Sequence, residues 1–154
     1  SGKELYSETQ ELAHRVLGGV ESVLKERYRL TPYLDTQMPA ALQGADLVLC
    51  RAGASTLSEL TTLGKASLLV PLPPAIGRSP QEANAAMFAR RGASIVIKNA
   101  DLEPALLAAR IKEMMTSPQA LASMMEAAGS LARPQATQAI VEELRKIARI
   151  NVAR

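Results

Sequence analysis

The sequence has few of the residues on which several common functions depend. Its 154 residues contain one cysteine, Cys50, one histidine, His14, and no tryptophan. A single cysteine excludes an internal disulfide, and its place in an apolar run predicts a buried, inert thiol. A single histidine, distant in sequence from the motif described below, indicates a structural role and argues against a Ser-His-Asp triad or a histidine metal site.

Aromatic residues and clustered positive charge are also scarce. Three tyrosines and one phenylalanine offer little for base stacking, and the formal net charge of +3 comes from lysines and arginines spread along the chain. We therefore expect no nucleic acid as a partner. Apolar runs such as residues 66–72 are far shorter than the ~20 residues that a membrane helix needs, and no signal peptide precedes the first helix. These features fit a reducing cytoplasm.

What is present is the composition of an ordinary globular protein. Hydrophobic residues make up 47% of the chain and charged residues 21%, which excludes a disordered chain. The length fits one domain with a substantial core. Hydrophobic spacing predicts short strands alternating with helices, without an internal repeat or a dividing linker. This alternation is typical of right-handed βαβ units, so the predicted fold class is α/β with a parallel sheet.

The boundaries of the elements follow from glycine, proline and capping residues. Gly64 and Gly92 are predicted helix stops, and Ser79, Pro80 and Glu82 together predict a helix start. The predicted strands cover residues 28–34, which Pro32 keeps from being ideal, 47–50, 66–70 and 94–98. The predicted helices cover residues 3–26, with a break at Gly18-Gly19, then 36–42, 56–63, 80–91, 102–115, 118–131 and 137–152.

The stretch from Leu47 to Leu60 is the strongest candidate for function. Residues 47–50 are apolar, as in a strand buried on both faces of a parallel sheet. Small residues then break the run, and Thr56-x-x-Glu59 is a capping box that predicts a helix start. The predicted strand, turn and helix meet at the carboxyl edge of the sheet. There the free N–H groups of the helix start attract anions such as phosphate.

The same stretch carries a resemblance to a known family. The residues from Arg51 to Glu59, followed by Pro71, Gln81-x-x-Asn84 and Gly92-Ala93, closely resemble the donor-nucleotide domain of the MurG family. That family comprises glycosyltransferases that move N-acetylglucosamine (GlcNAc) from UDP onto the lipid-linked muramyl-pentapeptide precursor of peptidoglycan. The similarity covers most of the chain, from about Tyr33 to the C-terminus, and is densest between Ala45 and Gly92.

The resemblance implies a larger architecture. In the family two Rossmann-like domains face each other across a cleft, the arrangement called GT-B. A complete donor domain would begin with a strand and a Gly-Gly-Ser loop, and neither precedes Ser1. We therefore expect residues 1–154 to be a truncated C-terminal half that is inactive alone. The acceptor domain, with its lipid-binding surface and candidate general base, would be missing, and the last helix would lose contacts that it makes to that domain.

The resemblance also implies partners and a location. UDP-GlcNAc would be the donor, and the lipid-linked acceptor and the peripheral membrane contact would come through the missing domain. We expect no cofactor, no metal and no catalytic residue in this chain. The complete protein would act on the cytoplasmic face of the bacterial membrane. It would take part in peptidoglycan synthesis and cell wall biogenesis, and thereby in cell shape and cell division.

The family's donor contacts match several positions of this sequence. The backbone of Leu34 would bind the uracil and Glu59 the ribose hydroxyls. Small residues after the strand would line the diphosphate and sugar, and Gln81 and Asn84 would bind sugar hydroxyls. The family often has a second glutamine where this chain has Pro80. The implied substrate-binding residues are Leu34, Gly53, Ala54, Ser55, Thr56, Leu57, Ser58, Glu59, Gln81 and Asn84.

Simpler roles compete with each of these assignments. Without any ligand, Glu59 could close a capping box and Gly53 could permit a turn. Gln81 and Asn84 could lie on a solvated helix face. Arg51 could assist a phosphate, although an arginine at a strand end is more often solvated or paired with a carboxylate. Other functions also stay open. They are a UDP-galactose glycolipid synthase, a UDP-sugar epimerase, or a non-catalytic donor-site subunit of a two-chain transferase.

Overall fold

A computed structural model describes residues 4–75 and 80–152, with side chains up to residue 148. The chain divides into two compact units, residues 1–41 and 42–154, and each unit is described by itself. That the chain forms a single truncated domain stays a prediction. Ser79, the predicted helix cap, lies outside the described residues.

The N-terminal unit is mainly helical. Helix α1 spans Tyr6–Leu17 and helix α2 spans Ser22–Lys25, which confirms the predicted break at Gly18-Gly19. At this break the Lys25 ammonium donates a hydrogen bond to the Gly18 carbonyl at 3.1 Å. The predicted strand over residues 28–34 is wrong, because this segment pairs with no strand among the described residues. Helix α3 (Met38–Gly44) follows and runs across the boundary into the second unit.

The second unit is built on a parallel sheet, as predicted. Strands β1 (Leu47–Cys50), β2 (Ala66–Leu69) and β3 (Ser94–Val96) pair in the order β1-β2-β3. Leu47 lies opposite Ala66, and Ser67 opposite Ser94. Strand β2 is buried along its whole length. The expectation that β1 is buried on both faces is wrong, because β1 forms one edge of the described sheet and Leu49 is 46% exposed.

Two helices connect the strands and end where the sequence predicts. Helix α4 (Ala54–Thr62) joins β1 to β2, and helix α5 (Gln81–Arg90) joins β2 to β3. Gly64 and Gly92, which follow these helices, have φ of 58° and 70°. This left-handed conformation strains any residue with a Cβ, which explains glycine at both positions.

The C-terminal third of the chain is helical after a 3-10 turn at Asn99–Asp101. Helices α6 (Pro104–Met115), α7 (Pro118–Ser130) and α8 (Ala136–Val152) lie close to their predicted ranges. Prolines occupy the first turns of α6 and α7, where a missing N–H costs no hydrogen bond. None of the helices in the described part of the chain has both the length and the apolar character needed to cross a membrane.

Apolar side chains cover both faces of the sheet. On one face, Leu69 of β2 packs with Leu60 of α4 and Phe88 of α5. On the other face, Leu68 packs near α6, and Ala66 packs with Met114 and Met124 of α6 and α7. Fully burying one such leucine contributes roughly 1.5–3 kcal/mol, so these clusters hold the carboxyl edge of the sheet in place. Met114 and Met124 thus belong to the core, whereas Met115 is 48% exposed.

Candidate functional site

The candidate site lies at the carboxyl ends of β1 and β2. The chain leaves β1 through Arg51, Ala52 and Gly53 and enters α4 at Ala54. In an α-helix the first backbone N–H groups have no intrahelical acceptor. In α4 the first N–H group with a backbone acceptor belongs to Leu57, and it donates to the Gly53 carbonyl at 3.0 Å. The N–H groups of residues 54–56 therefore form the anion-attracting start of α4.

Gly53 is the N-cap residue of α4, and its conformation does not require glycine. Its φ of −70° and ψ of 142° are open to any residue. A Cβ built at this position would meet no described atom within 4 Å. The interpretation of Gly53 as a turn glycine is therefore wrong, because neither the turn nor the packing excludes a side chain. What the glycine does provide is open space above the backbone at the start of α4.

Glu59 does not close a capping box. Helix α4 begins at Ala54, two residues before Thr56, and its N-cap makes no side-chain hydrogen bond. Thr56 thus lies inside the first turn and Glu59 inside the second. The Glu59 side chain is exposed and forms no hydrogen bond or ion pair with any described residue. Its carboxylate is therefore available to a ligand that reaches this edge.

Leu57 and Ser58 stabilise the helix itself. The Leu57 side chain is 5% exposed and belongs to the core beneath α4, and its N–H is already bonded. The Ser58 hydroxyl donates to the Ala54 carbonyl at 3.0 Å. Neither residue presents a free donor toward the edge of the sheet. By contrast, Ser55 is exposed and Thr56 half-buried, and neither hydroxyl has a hydrogen bond within the described residues.

Gln81 and Asn84 are directed at loops rather than at solvent. The Leu72 N–H donates to Gln81 Oε1 at 3.0 Å, and Asn84 Nδ2 donates to the Ala52 carbonyl at 3.1 Å. The two side chains thus tie the first turn of α5 to the loops that follow β2 and β1. The spacing of three correctly predicts a shared helix face, but the solvated-face interpretation is wrong, since both side chains are half-buried and bonded.

Arg51, which directly follows β1, forms hydrogen bonds with residues that follow β2 and β3. Its Nη1 donates to the Val70 carbonyl at 3.0 Å and to Asn99 Oδ1 at 2.7 Å. Arg51 is exposed, which agrees with the expectation of a solvated arginine. The alternative of a carboxylate partner is wrong, because both acceptors are neutral. Asn99 lies 48 residues from Arg51, so no local pattern could have indicated the pair.

A groove lies beside α4 and α5. Its volume is about 630 Å³, and its lining includes Ala54, Asn84, Arg91 and Arg133. Glu59 and Gln81 are not among the residues that line it.

Three other sequence predictions concern Leu34, Cys50 and His14. Leu34 is half-buried in the N-terminal unit, and its contact with uracil stays a prediction. Cys50 is half-buried, and desolvation raises the pKa of its thiol to about 11, which agrees with an inert cysteine. His14 is exposed on α1, so it does not contribute to a core. No group of three potential metal ligands occurs in the part of the chain that is described.

Comparison with known proteins gives consistent matches. The family model of the glycosyltransferase family 28 C-terminal domain matches residues 2–142. A UDP-N-acetylglucosamine--N-acetylmuramyl-(pentapeptide) pyrophosphoryl-undecaprenol N-acetylglucosamine transferase from Pseudomonas savastanoi pv. phaseolicola is 43% identical over 138 residues, covering 85% of this chain and 38% of the relative. A protein of the same name from Desulforudis audaxviator is 40% identical over 119 residues, covering 77% of this chain and 31% of the relative.

A solved structure agrees with these matches. The crystal structure of Acinetobacter baumannii MurG superposes with a TM-score of 0.78 at 32% identity. The superposition covers 94% of this chain and 41% of that protein. The chain thus spans about two fifths or less of the length of the proteins it matches.

Proposed function

The chain belongs to the family of glycosyltransferase family 28 C-terminal domains, and from this membership we propose that it binds a UDP-sugar at the carboxyl edge of its sheet. The observation that carries the proposal is the start of α4. Open space lies above Gly53, the N–H groups of residues 54–56 have no intrahelical acceptor, and the Glu59 carboxylate has no partner within the described residues.

Each part of a UDP-sugar has a matching group in the proposal. The diphosphate accepts hydrogen bonds from the N–H groups of residues 54–56, where the helix dipole favours negative charge. The Glu59 carboxylate accepts from both ribose hydroxyls. Gln81 and Asn84 bind the sugar through the amide atoms that the loops leave free. Ser55 and Thr56 add hydroxyls near the diphosphate, and the Leu34 backbone binds the uracil.

We propose UDP-GlcNAc as the donor. The relatives are named as N-acetylglucosamine transferases that act on a pyrophosphoryl-undecaprenol acceptor. In the complete protein the acceptor hydroxyl attacks the anomeric carbon with inversion while UDP departs. The start of α4 then stabilises the negative charge that develops on the leaving diphosphate. The acceptor site, the general base and the peripheral contact with the cytoplasmic face of the membrane belong to the part of the protein beyond this chain.

Isothermal titration of the chain with UDP-GlcNAc, UDP-galactose and UDP tests the proposal. We expect UDP-GlcNAc to bind more tightly than UDP-galactose. Because a hydrogen bond to a charged group contributes about 1.5–3 kcal/mol, Glu59→Gln should weaken UDP-GlcNAc roughly tenfold or more. Glu126→Gln, a change at an exposed position of α7, is the matched control and should bind normally. A preference for UDP-galactose, or equal affinity of the Glu59 variant and the control, would refute the proposal.

A further inference from the structure

The groove beside α4 and α5 carries positive charge that no described residue neutralises. Arg91, which follows α5, and Arg133, which precedes α8, both line the groove, and both are exposed. Neither guanidinium forms a hydrogen bond or an ion pair with any described residue. The lining, as far as the chain is described, contains no aspartate or glutamate. A concave surface with charge of one sign attracts ligands of the opposite sign, so the groove favours an anionic ligand.

The groove also offers hydrogen-bond acceptors. On α4 the hydroxyls of Ser58 and Thr62 donate to the carbonyls of Ala54 and Ser58, at 3.0 and 2.8 Å. At the end of α7 the Ser130 hydroxyl donates to the Ala127 carbonyl at 2.7 Å. Each hydroxyl proton is thus used within its own helix, and the oxygen retains lone pairs that can only accept. All three hydroxyl residues are exposed and line the groove, so a ligand with N–H donors matches it.

Carboxylates together with N–H donors are the chemistry of an acidic peptide. A phosphate dianion has acceptor oxygens and no donor, so it would leave the hydroxyl oxygens without a partner. A lipid tail needs exposed apolar surface, whereas Leu57 and Phe88 of the lining are almost fully buried. The volume of about 630 Å³ lies within the roughly 300–1,000 Å³ that is typical of ligand pockets. This size suits a short segment and excludes a folded domain.

We infer that this groove binds an extended, acidic peptide segment of a partner protein. The carboxylates of the segment pair with Arg91 and Arg133, whose planar guanidinium groups match a carboxylate with two parallel hydrogen bonds. The backbone N–H groups of the segment donate to the three hydroxyl oxygens of the lining. The inference goes beyond the proposed function and does not depend on it, because neither arginine belongs to the proposed UDP-sugar site.

Fluorescence anisotropy with the whole chain tests the inference. The probes are two labelled decapeptides, one with alternating glutamate and alanine and the other with alternating glutamine and alanine. We expect the acidic peptide to bind about tenfold more tightly or better, because only its side chains pair with the arginines. Arg91→Gln and Arg133→Gln should each weaken binding of the acidic peptide about fivefold, which is the upper range for an exposed ion pair. Equal affinity of the acidic and the neutral peptide would overturn the inference.

Arg90→Gln is the matched control for charge. Arg90 is exposed and adjoins Arg91, but it does not line the groove, and its substitution lowers the net charge by the same amount. The affinity for the acidic peptide should change less than about twofold. Because all three arginines are exposed, the midpoint of thermal unfolding should be the same in the three variants. Equal weakening in Arg90→Gln and Arg91→Gln would show non-specific attraction, and the inference would be wrong.

A second comparison separates a peptide from other anions. Thr62→Val keeps the shape of the side chain but removes the acceptor oxygen, so the acidic peptide should bind about threefold more weakly. Thr116→Val removes a hydroxyl that also donates to the carbonyl four residues earlier, at 2.8 Å, but Thr116 lies outside the groove, so this control should bind normally. Tripolyphosphate and vesicles of phosphatidylglycerol are the competing ligands. If either bound as tightly as the acidic peptide and lost affinity in Arg91→Gln and Arg133→Gln, the groove would be a phosphate or lipid site, which contradicts the inference.

Discussion

The side-chain amide of Asn84 donates to the carbonyl of Ala52 at 3.1 Å, and this bond joins two residues 32 positions apart. Ala52 is fully buried, so its carbonyl has few alternatives for a hydrogen bond. The bond therefore connects the first turn of helix α5 to the loop before helix α4.

Removing this bond should destabilise the chain without affecting its secondary structure. Asn84→Leu leaves the Ala52 carbonyl buried and unpaired, which costs about 1–3 kcal/mol in the free energy of unfolding. Urea denaturation followed by circular dichroism measures the change. Glu82→Ala, at an exposed position of the same helix, should change the free energy by less than about 0.5 kcal/mol. Equal stability of both variants would show that the bond contributes nothing.

Gly53 should be required for ligand binding but not for folding. In Gly53→Ala the new Cβ adopts an allowed conformation and meets no described atom, so the midpoint of thermal unfolding should stay within about 2 °C. The same Cβ would occupy the space above the start of α4, and UDP-GlcNAc affinity should fall at least tenfold. As a contrast, Gly92→Ala places a Cβ at φ 70° and should lower stability by roughly 1 kcal/mol. Normal binding by Gly53→Ala would contradict this prediction.

Lys65 should contribute strongly to stability although it has no carboxylate partner among the described residues. It is 9% exposed, and its ammonium donates to the carbonyls of Gln43 at 2.6 Å and Ala45 at 3.1 Å. These carbonyls lie at the end of α3, where a positive charge is favourable. Lys65→Met removes both bonds and should cost about 1–3 kcal/mol in urea denaturation. Lys112→Met, at an exposed position of α6, serves as the control and should be neutral.

Cys50 should react slowly with alkylating reagents while the chain is folded. Burial raises its pKa from 9.0 to about 11, so at pH 8 the thiolate fraction is roughly a hundredfold smaller than in the unfolded chain. Iodoacetamide labelling with and without urea, followed by mass spectrometry, measures the ratio of rates. The unfolded thiol ionises first, so stability is highest below pH 9 and declines as the pH rises from 9 toward 11. Fast labelling of the folded chain would contradict the assignment of a protonated thiol.

The apolar stripe of α8 should contribute little to the stability of this chain. Ile140, Leu144 and Ile147 are 61%, 60% and 56% exposed. Leu144→Ser should therefore change the free energy of unfolding by less than about 0.5 kcal/mol, whereas Leu60→Ala, at a fully buried position, should cost about 2–5 kcal/mol. Amide exchange in α8 should also be faster than in β2. A large loss of stability in Leu144→Ser would show that α8 packs in this chain.

Local patterns in the sequence predicted most of the second unit. The apolar run over residues 47–50 correctly indicated β1, and Gly64 and Gly92 correctly marked the ends of α4 and α5. These features depend on residues close in sequence, since hydrophobic periodicity and the conformational freedom of glycine act over one or two turns. The predicted strand over residues 28–34 failed because a strand needs a partner, and no local pattern supplies one.

The sequence by itself thus determined the alternation of strands and helices, the parallel sheet and the identity of the residues at its carboxyl edge. Only the tertiary structure decided how each polar side chain there is used. In the tertiary structure Arg51 donates to the Val70 carbonyl and to Asn99. Gln81 accepts from a backbone N–H, whereas Asn84 donates to a backbone carbonyl. Glu59 has no partner in the described part of the chain. The physical reason is that a hydrogen bond depends on which groups meet in space, and these partners come from loops 9–48 residues away.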